Sequence, residues 1–127
     1  MRFICKLNID KIVENFGIGM LADPSQMYRS VDMLLESDPC GDMTGTAAEA
    51  MASGCPVILT EGEEHANMKC RNSPGDIADA VVQLWNRMKD KPELEKKKAR
   101  EIAVKYYNIE NTIKGMLKLY QEFFNVG

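Results

Sequence analysis

The stretch GTAAEAMASGCPVILT, residues 45–60, joins an alanine-rich segment to an apolar run typical of a β-strand. Its first part, TAAEAMAS, predicts a short helix over 46–53 that Gly54 would end. The run CPVILTE, residues 55–61, has the β-branched and aliphatic composition of a buried parallel strand, with Pro56 near its opening. Because small side chains let a helix lie close to a sheet, this stretch favours a βαβ unit.

Apolar runs alternate with short helical patterns through residues 1–61, and this alternation decides the fold class. We expect strands at 2–7, 18–21 and 31–37, and helices at 10–17 and 23–30, with Asp23 capping the second helix. Strands separated by helices indicate right-handed crossovers and a parallel sheet. The prediction is an α/β, Rossmann-like, three-layer fold with about three to four strands.

The second half, residues 76–124, predicts only helices, at 76–90, 91–107 and 108–124, the last capped by Asn108. Each helix carries apolar residues at helical spacing, so we expect all three to pack inward. The predicted inward residues are Ile77, Ala80, Val81, Leu84 and Met88; Leu94, Ala99, Ile102, Ala103 and Tyr106; and Ile109, Ile113, Met116, Leu117 and Tyr120. We expect residues 1–127 to form a single domain.

Composition excludes several classes of function. A formal net charge of −3 and a pI near 5.2 argue against a general nucleic-acid surface. The four cysteines form no Cys-x-x-Cys pair and there is one histidine, so we expect no metal site and no cofactor. No apolar run reaches the roughly 20 residues that cross a bilayer. Together these features predict a cytoplasmic protein.

The loop CGDMTGT, residues 40–46, carries the residues that favour ligand chemistry. Unpaired amides at a helix start bind phosphate, and glycine lets a ligand approach the backbone. The candidate binding residues are Gly41, Asp42, Thr44, Gly45, Thr46 and Glu49. Glu49 has two interpretations: its carboxylate accepts from the hydroxyls of a ribose, or Thr46 and Glu49 form a local capping box.

The segment LLESDPCGDMTGTAAEAMASGCPVILTEG resembles the signature of GT-B glycosyltransferases of the group 1 (family 4) type. The most specific part is the Glu-Ala-Met-Ala helix that starts at Glu49 and leads to Gly54-Cys55-Pro56-Val57. SPGDIADAVVQLW and the terminal helices are also similar to that family, and the likeness covers residues 23–124. The chain differs from the family at Gly41, where the family has an acid, and in the connector from Glu61 to Ser73, which lacks the family's Gly-Leu-Leu-Val strand. It is also too short to include the family's acceptor domain.

The resemblance implies the donor-binding, C-terminal domain of an enzyme that transfers a sugar from a nucleotide sugar, UDP- or GDP-linked, to an acceptor hydroxyl. It implies that Glu49 holds the donor ribose and that the loop 41–46 meets the diphosphate and sugar. A separate acceptor domain or partner subunit would supply the catalytic base, so the isolated chain is expected to be inactive. Two alternatives stay open: a non-catalytic interaction module, for which a homodimer is one form, and a fragment of a nucleotide-sugar epimerase.

Overall fold

The computed structural model describes residues 3–4, 21–37, 45–62 and 65–124. The helix predicted at 10–17, most of the strand predicted at 18–21 and most of the loop 40–46 lie outside these residues. In chain order the elements are β1 (Phe3–Ile4), α1 (Ser25–Ser30), β2 (Met33–Glu36), α2 (Gly45–Ala52), β3 (Val57–Thr60), β4 (Met68–Cys70), α3 (Pro74–Met88), α4 (Pro92–Tyr106) and α5 (Ile109–Phe124). Among the described residues, no helix combines the length and apolarity that crossing a bilayer requires.

The strands form one sheet in the order β1-β2-β3-β4, and every neighbouring pair is parallel. Leu34 of β2 lies beside Val57 of β3, and Ile58 of β3 lies beside Met68 of β4. Parallel neighbours need a long connection between them, and α2 supplies it between β2 and β3. The prediction of an α/β fold with a parallel sheet and a helical second half is confirmed.

Alternating strand residues place a separate core on each face of the sheet. Leu34, Val57 and Leu59 pack with α1, α2 and α4 on one face. Met33, Ile58 and Met68 pack with α3 on the other face. Because both faces are covered, β3 is buried along its whole length, as the run VILT predicts.

Close packing of α2 against α4 fixes the direction of α2. Ala47 and Ala50 of α2 are fully buried in the same cluster as Ala99 and Ala103 of α4. At the C-terminal end of α2, the Arg100 guanidinium donates a 2.8 Å hydrogen bond to the carbonyl of Ala52. The alanines of the opening stretch therefore serve packing, as expected, and they hold α2 at a fixed position on the sheet.

Gly54 ends α2 in the manner the sequence predicts. Its φ of +82° lies in the left-handed region that favours glycine. The Gly54 amide donates to the carbonyl of Met51 and the Cys55 amide donates to the carbonyl of Ala50, both at 2.9 Å. This pattern satisfies the last carbonyls of α2 and turns the chain into β3.

The strand β4 was not predicted from the sequence: it lies in the connector from Glu61 to Ser73, where its three residues pair with the edge of β3. Several of the residues predicted to face inward on the helices are exposed instead. The stripe of α5 does not face inward: no described side chain of α5 is buried. In α4, the predicted inward residues Leu94 and Tyr106 are exposed as well. On α3, four of the five predicted residues are buried and the fifth, Val81, is half-buried.

Candidate functional site

The start of α2 lies at the carboxyl edge of the sheet. β2 ends at Glu36 and α2 begins at Gly45, so the connection leaves from that edge. At the same edge the Thr60 hydroxyl, at the end of β3, donates a 3.4 Å hydrogen bond to the Glu36 carbonyl. Open α/β sheets bind ligands at the carboxyl ends of their strands. The predicted residues Gly41, Asp42 and Thr44 lie outside the described residues, so the site is built from Gly45, Thr46 and Glu49.

Gly45 gives a ligand access to the backbone. It is exposed, and a Cβ placed on it would meet no heavy atom of the described residues within 4 Å. Backbone N–H groups in the first turn of a helix have no partner within the helix and lie at the positive end of its dipole. The exposed helix start at Gly45 is therefore accessible to an anion. A side chain on residue 45 would occupy the space through which the anion reaches the backbone.

Glu49 lies one turn further along α2 and is exposed. Its carboxylate Oε2 accepts a hydrogen bond of 3.4 Å from the hydroxyl of Tyr28 on α1. Tyr28 is buried, with 3% of its surface exposed, so its hydroxyl reaches the acid from inside the core. Burial, followed by the negative charge of Glu49, raises the pKa of the Tyr28 phenol. Tyr28 therefore stays protonated at neutral pH and acts as a donor to the acid.

The structure does not place Thr46 where a capping box requires it. α2 begins at Gly45, so Thr46 lies inside the first turn and not at the cap position. Its hydroxyl interacts instead with Tyr28, an interaction that opposes the rise in the phenol's pKa. Thr46, Glu49 and Tyr28 thus form one polar cluster that joins α1 to the start of α2. Sequence analysis missed Tyr28 because the contact spans 21 residues of chain.

The basic residues after β3 are committed to other partners. The Lys69 ammonium donates to the carbonyl of Gly62 at 3.1 Å. The Arg71 guanidinium pairs with the carboxylate of Asp76 at 3.1 Å. Glu61, the residue directly after β3, adopts a φ of +64°, which is uncommon for a residue with a side chain. His65 is exposed and stacks on the ring of Tyr106 with centroids 3.6 Å apart.

A cavity of about 380 Å³ lies on the opposite face of the sheet, between β4 and α3. Arg71, Arg87 and Asp76 are among the residues that line it. Asp76 neutralises Arg71, and Glu95 pairs with Arg87 at 3.5 Å. The cavity therefore offers no excess charge that would select an anionic ligand.

Cysteine and metal chemistry have little support in the part of the chain that the structure describes. Burial raises the pKa of the Cys55 thiol to about 12, so Cys55 is a protonated core residue at neutral pH. Cys70 is partly buried, and its pKa is raised for the same reason. Within residues 21–37, 45–62 and 65–124, no three His, Cys, Asp or Glu side chains are grouped closely enough to hold a metal ion.

Comparison with known protein families, with curated proteins and with solved structures returned no match.

Proposed function

We propose that this chain is the nucleotide-sugar-binding domain of a glycosyltransferase with GT-B architecture, of the group 1 (family 4) type. The observation that carries the proposal is the exposed carboxylate of Glu49, held by Tyr28 one turn beyond the open backbone at Gly45. A nucleoside diphosphate has two polar parts, its ribose hydroxyls and its phosphates. The Glu49 carboxylate matches the hydroxyls, and the helix start at Gly45 matches the phosphates.

The spacing along α2 supports this assignment. Glu49 follows Gly45 by four residues, which is about 6 Å along a helix axis. A ligand with its diphosphate at the amides of the first turn would extend its ribose along α2 towards Glu49. An ionised carboxylate accepts several hydrogen bonds, so Glu49 can accept from a ribose diol while it also accepts from Tyr28.

Tyr28 and Thr46 prepare the site before a ligand arrives. The Tyr28 ring is fixed in the core with Ala47 and Ala50 of α2, so its hydroxyl has a defined position. A bond from a fixed donor limits the orientations that the Glu49 carboxylate can adopt. Pre-organisation of this kind increases affinity because less side-chain freedom is lost on binding.

The proposed chemistry is electrostatic. When the glycosidic bond to the nucleotide breaks, negative charge develops on the departing diphosphate. Helix-start amides aimed at that diphosphate stabilise the charge and so lower the barrier. The acceptor and any catalytic base would come from a second domain or subunit, and an epimerase of the same architecture would need no acceptor.

The test is calorimetric titration of the full chain with UDP, GDP and their sugars. We expect binding of one nucleotide and its sugar, weakened about tenfold or more in Glu49→Gln because a charge-assisted hydrogen bond is lost. Glu93→Gln, which changes an exposed acid at the start of α4, is the matched control and should bind as the unaltered chain does. If the folded chain binds no nucleotide at millimolar concentration, the proposal is wrong and a non-catalytic interaction module is favoured.

A further inference from the structure

The last helix, α5, has a wide apolar face that is exposed in the part of the chain that the structure describes. Eight large apolar side chains of α5 are between 48% and 80% exposed. They are Ile109, Ile113, Met116, Leu117, Leu119, Tyr120, Phe123 and Phe124. At about 100° per residue they occupy an arc of roughly 160°, with Thr112 as the polar residue within it.

The charged side chains of α5 lie around the rest of its circumference. Lys118 and Glu122 pair with each other at 3.9 Å on the side opposite the apolar face. Lys114 and Gln121 also belong to the polar side, and Glu110 borders the apolar arc at the first turn. The apolar face thus carries no charge that would select a partner of the opposite sign.

The size of this face is that of half a stable dimer interface. The eight side chains average about 60% exposure, and at about 150–250 Å² for each whole side chain they present roughly 700–1,200 Å² in total. A standard specific interface buries about 800 Å² on each partner. We propose that α5 is a dimerisation helix, whose apolar face packs against the α5 of a second copy of this chain.

The spacing of the apolar residues supports a paired helix. Ile109, Ile113, Met116, Tyr120 and Phe123 are separated alternately by four and three residues, as in the seam between two packed helices. We assign an antiparallel arrangement of the two helices. The dipoles of two antiparallel helices point in opposite directions, and this arrangement is electrostatically favourable. They also keep apart the two folded bodies, each of which adjoins the start of its own α5, where Asn111 donates to the Lys105 carbonyl.

The experiment is sedimentation velocity on the full chain from about 5 to 200 µM, a range that detects dimers of micromolar or tighter affinity. We expect a species of twice the 14.3 kDa chain mass. Tyr120→Glu places a charge in the centre of the apolar face and should return the protein to a monomer. Gln121→Glu adds the same charge to the polar side at the next residue, and should leave the dimer intact.

Circular dichroism and thermal unfolding distinguish a lost dimer from a lost fold, because no α5 side chain is buried in the body of the monomer. A monomer at every concentration, or a dimer that persists in folded Tyr120→Glu, would overturn the proposal. Either result leaves nucleotide binding untouched, so this inference and the proposed function fail separately.

Discussion

The starts of α2 and α3 share a sequence pattern and use it differently. Each has a hydroxyl residue followed three positions later by an acid, Thr46 with Glu49 and Ser73 with Asp76. In α3 the pattern closes on itself: Ser73 is the cap, its hydroxyl accepts from the Asp76 amide at 3.2 Å and donates to the Asp76 carboxylate. In α2, the Glu49 carboxylate instead accepts a hydrogen bond from Tyr28, which lies on α1.

The difference shows which helix start remains available to a ligand. At α3 the cap, the first-turn acid and Arg71 satisfy one another, so that helix start needs no further partner. At α2 the side chains of Thr46 and Glu49 are exposed, and the Glu49 carboxylate accepts a hydrogen bond from the buried Tyr28. The same local pattern therefore stabilises a helix in one place and, by our proposal, binds a nucleotide in the other.

The largest effect is expected from a pair of matched glycines. Gly45 and Gly75 lie in the first turns of α2 and α3, and a Cβ on either would meet no atom within 4 Å among the residues that the structure describes. Gly45→Ala should fold normally yet weaken nucleotide binding about tenfold or more, because its methyl group occupies the approach to the backbone. Gly75→Ala should bind as the unaltered chain does, measured by the same calorimetry. Equal binding by both variants would remove the distinction between the two helix starts.

A smaller effect is expected on stability when the hydroxyl residues are replaced. Ser73→Ala removes a helix cap and should lower the free energy of unfolding by about 1 kcal/mol. Thr46→Ala should change it by less than about 0.5 kcal/mol, because Thr46 is exposed and lies inside α2, where alanine is the better helix former. Urea unfolding monitored by circular dichroism measures both. A larger loss for Thr46→Ala than for Ser73→Ala would mean that Thr46 caps α2 after all.

The smallest effect is a pH dependence specific to α3. The hydrogen bond from Ser73, followed by that from Arg71, lowers the pKa of the Asp76 carboxyl from its ordinary value of 3.8. Because the folded-state pKa is depressed, this contribution is present above the unfolded-state value and is lost as the pH falls through the folded one. The stability difference between the unaltered chain and Asp76→Asn should therefore shrink as the pH falls from about 5 to about 3. A difference that is constant over that range would contradict the assigned bonds.

Local sequence predicted the part of the fold that depends on strand and turn chemistry. Residues that are near one another in the chain determine strand β3, helix α2 and the left-handed conformation of Gly54. The strand β4 was missed because MKC is too short and too polar to be distinguished from a loop without its pairing to β3.

The remaining wrong predictions concern which apolar helix faces are covered by other parts of the molecule. α3 and α5 have similar amphipathic patterns, yet α3 buries Leu84 completely while α5 leaves Phe123 74% exposed. A helical period identifies an apolar face but does not identify the molecule that covers it. For the same reason, the contact of Tyr28 with Glu49 depends on how α1 docks against α2, which neither segment encodes alone.

The most direct test of the proposed site is an NMR titration of the ¹⁵N-labelled chain with UDP and with GDP. The account predicts that one nucleotide shifts the backbone amide signals of Gly45, Thr46 and Ala47, while those of Gly75 and Asp76 stay in place. Shifts confined to the start of α3, or no shift at either helix at millimolar nucleotide, would contradict it.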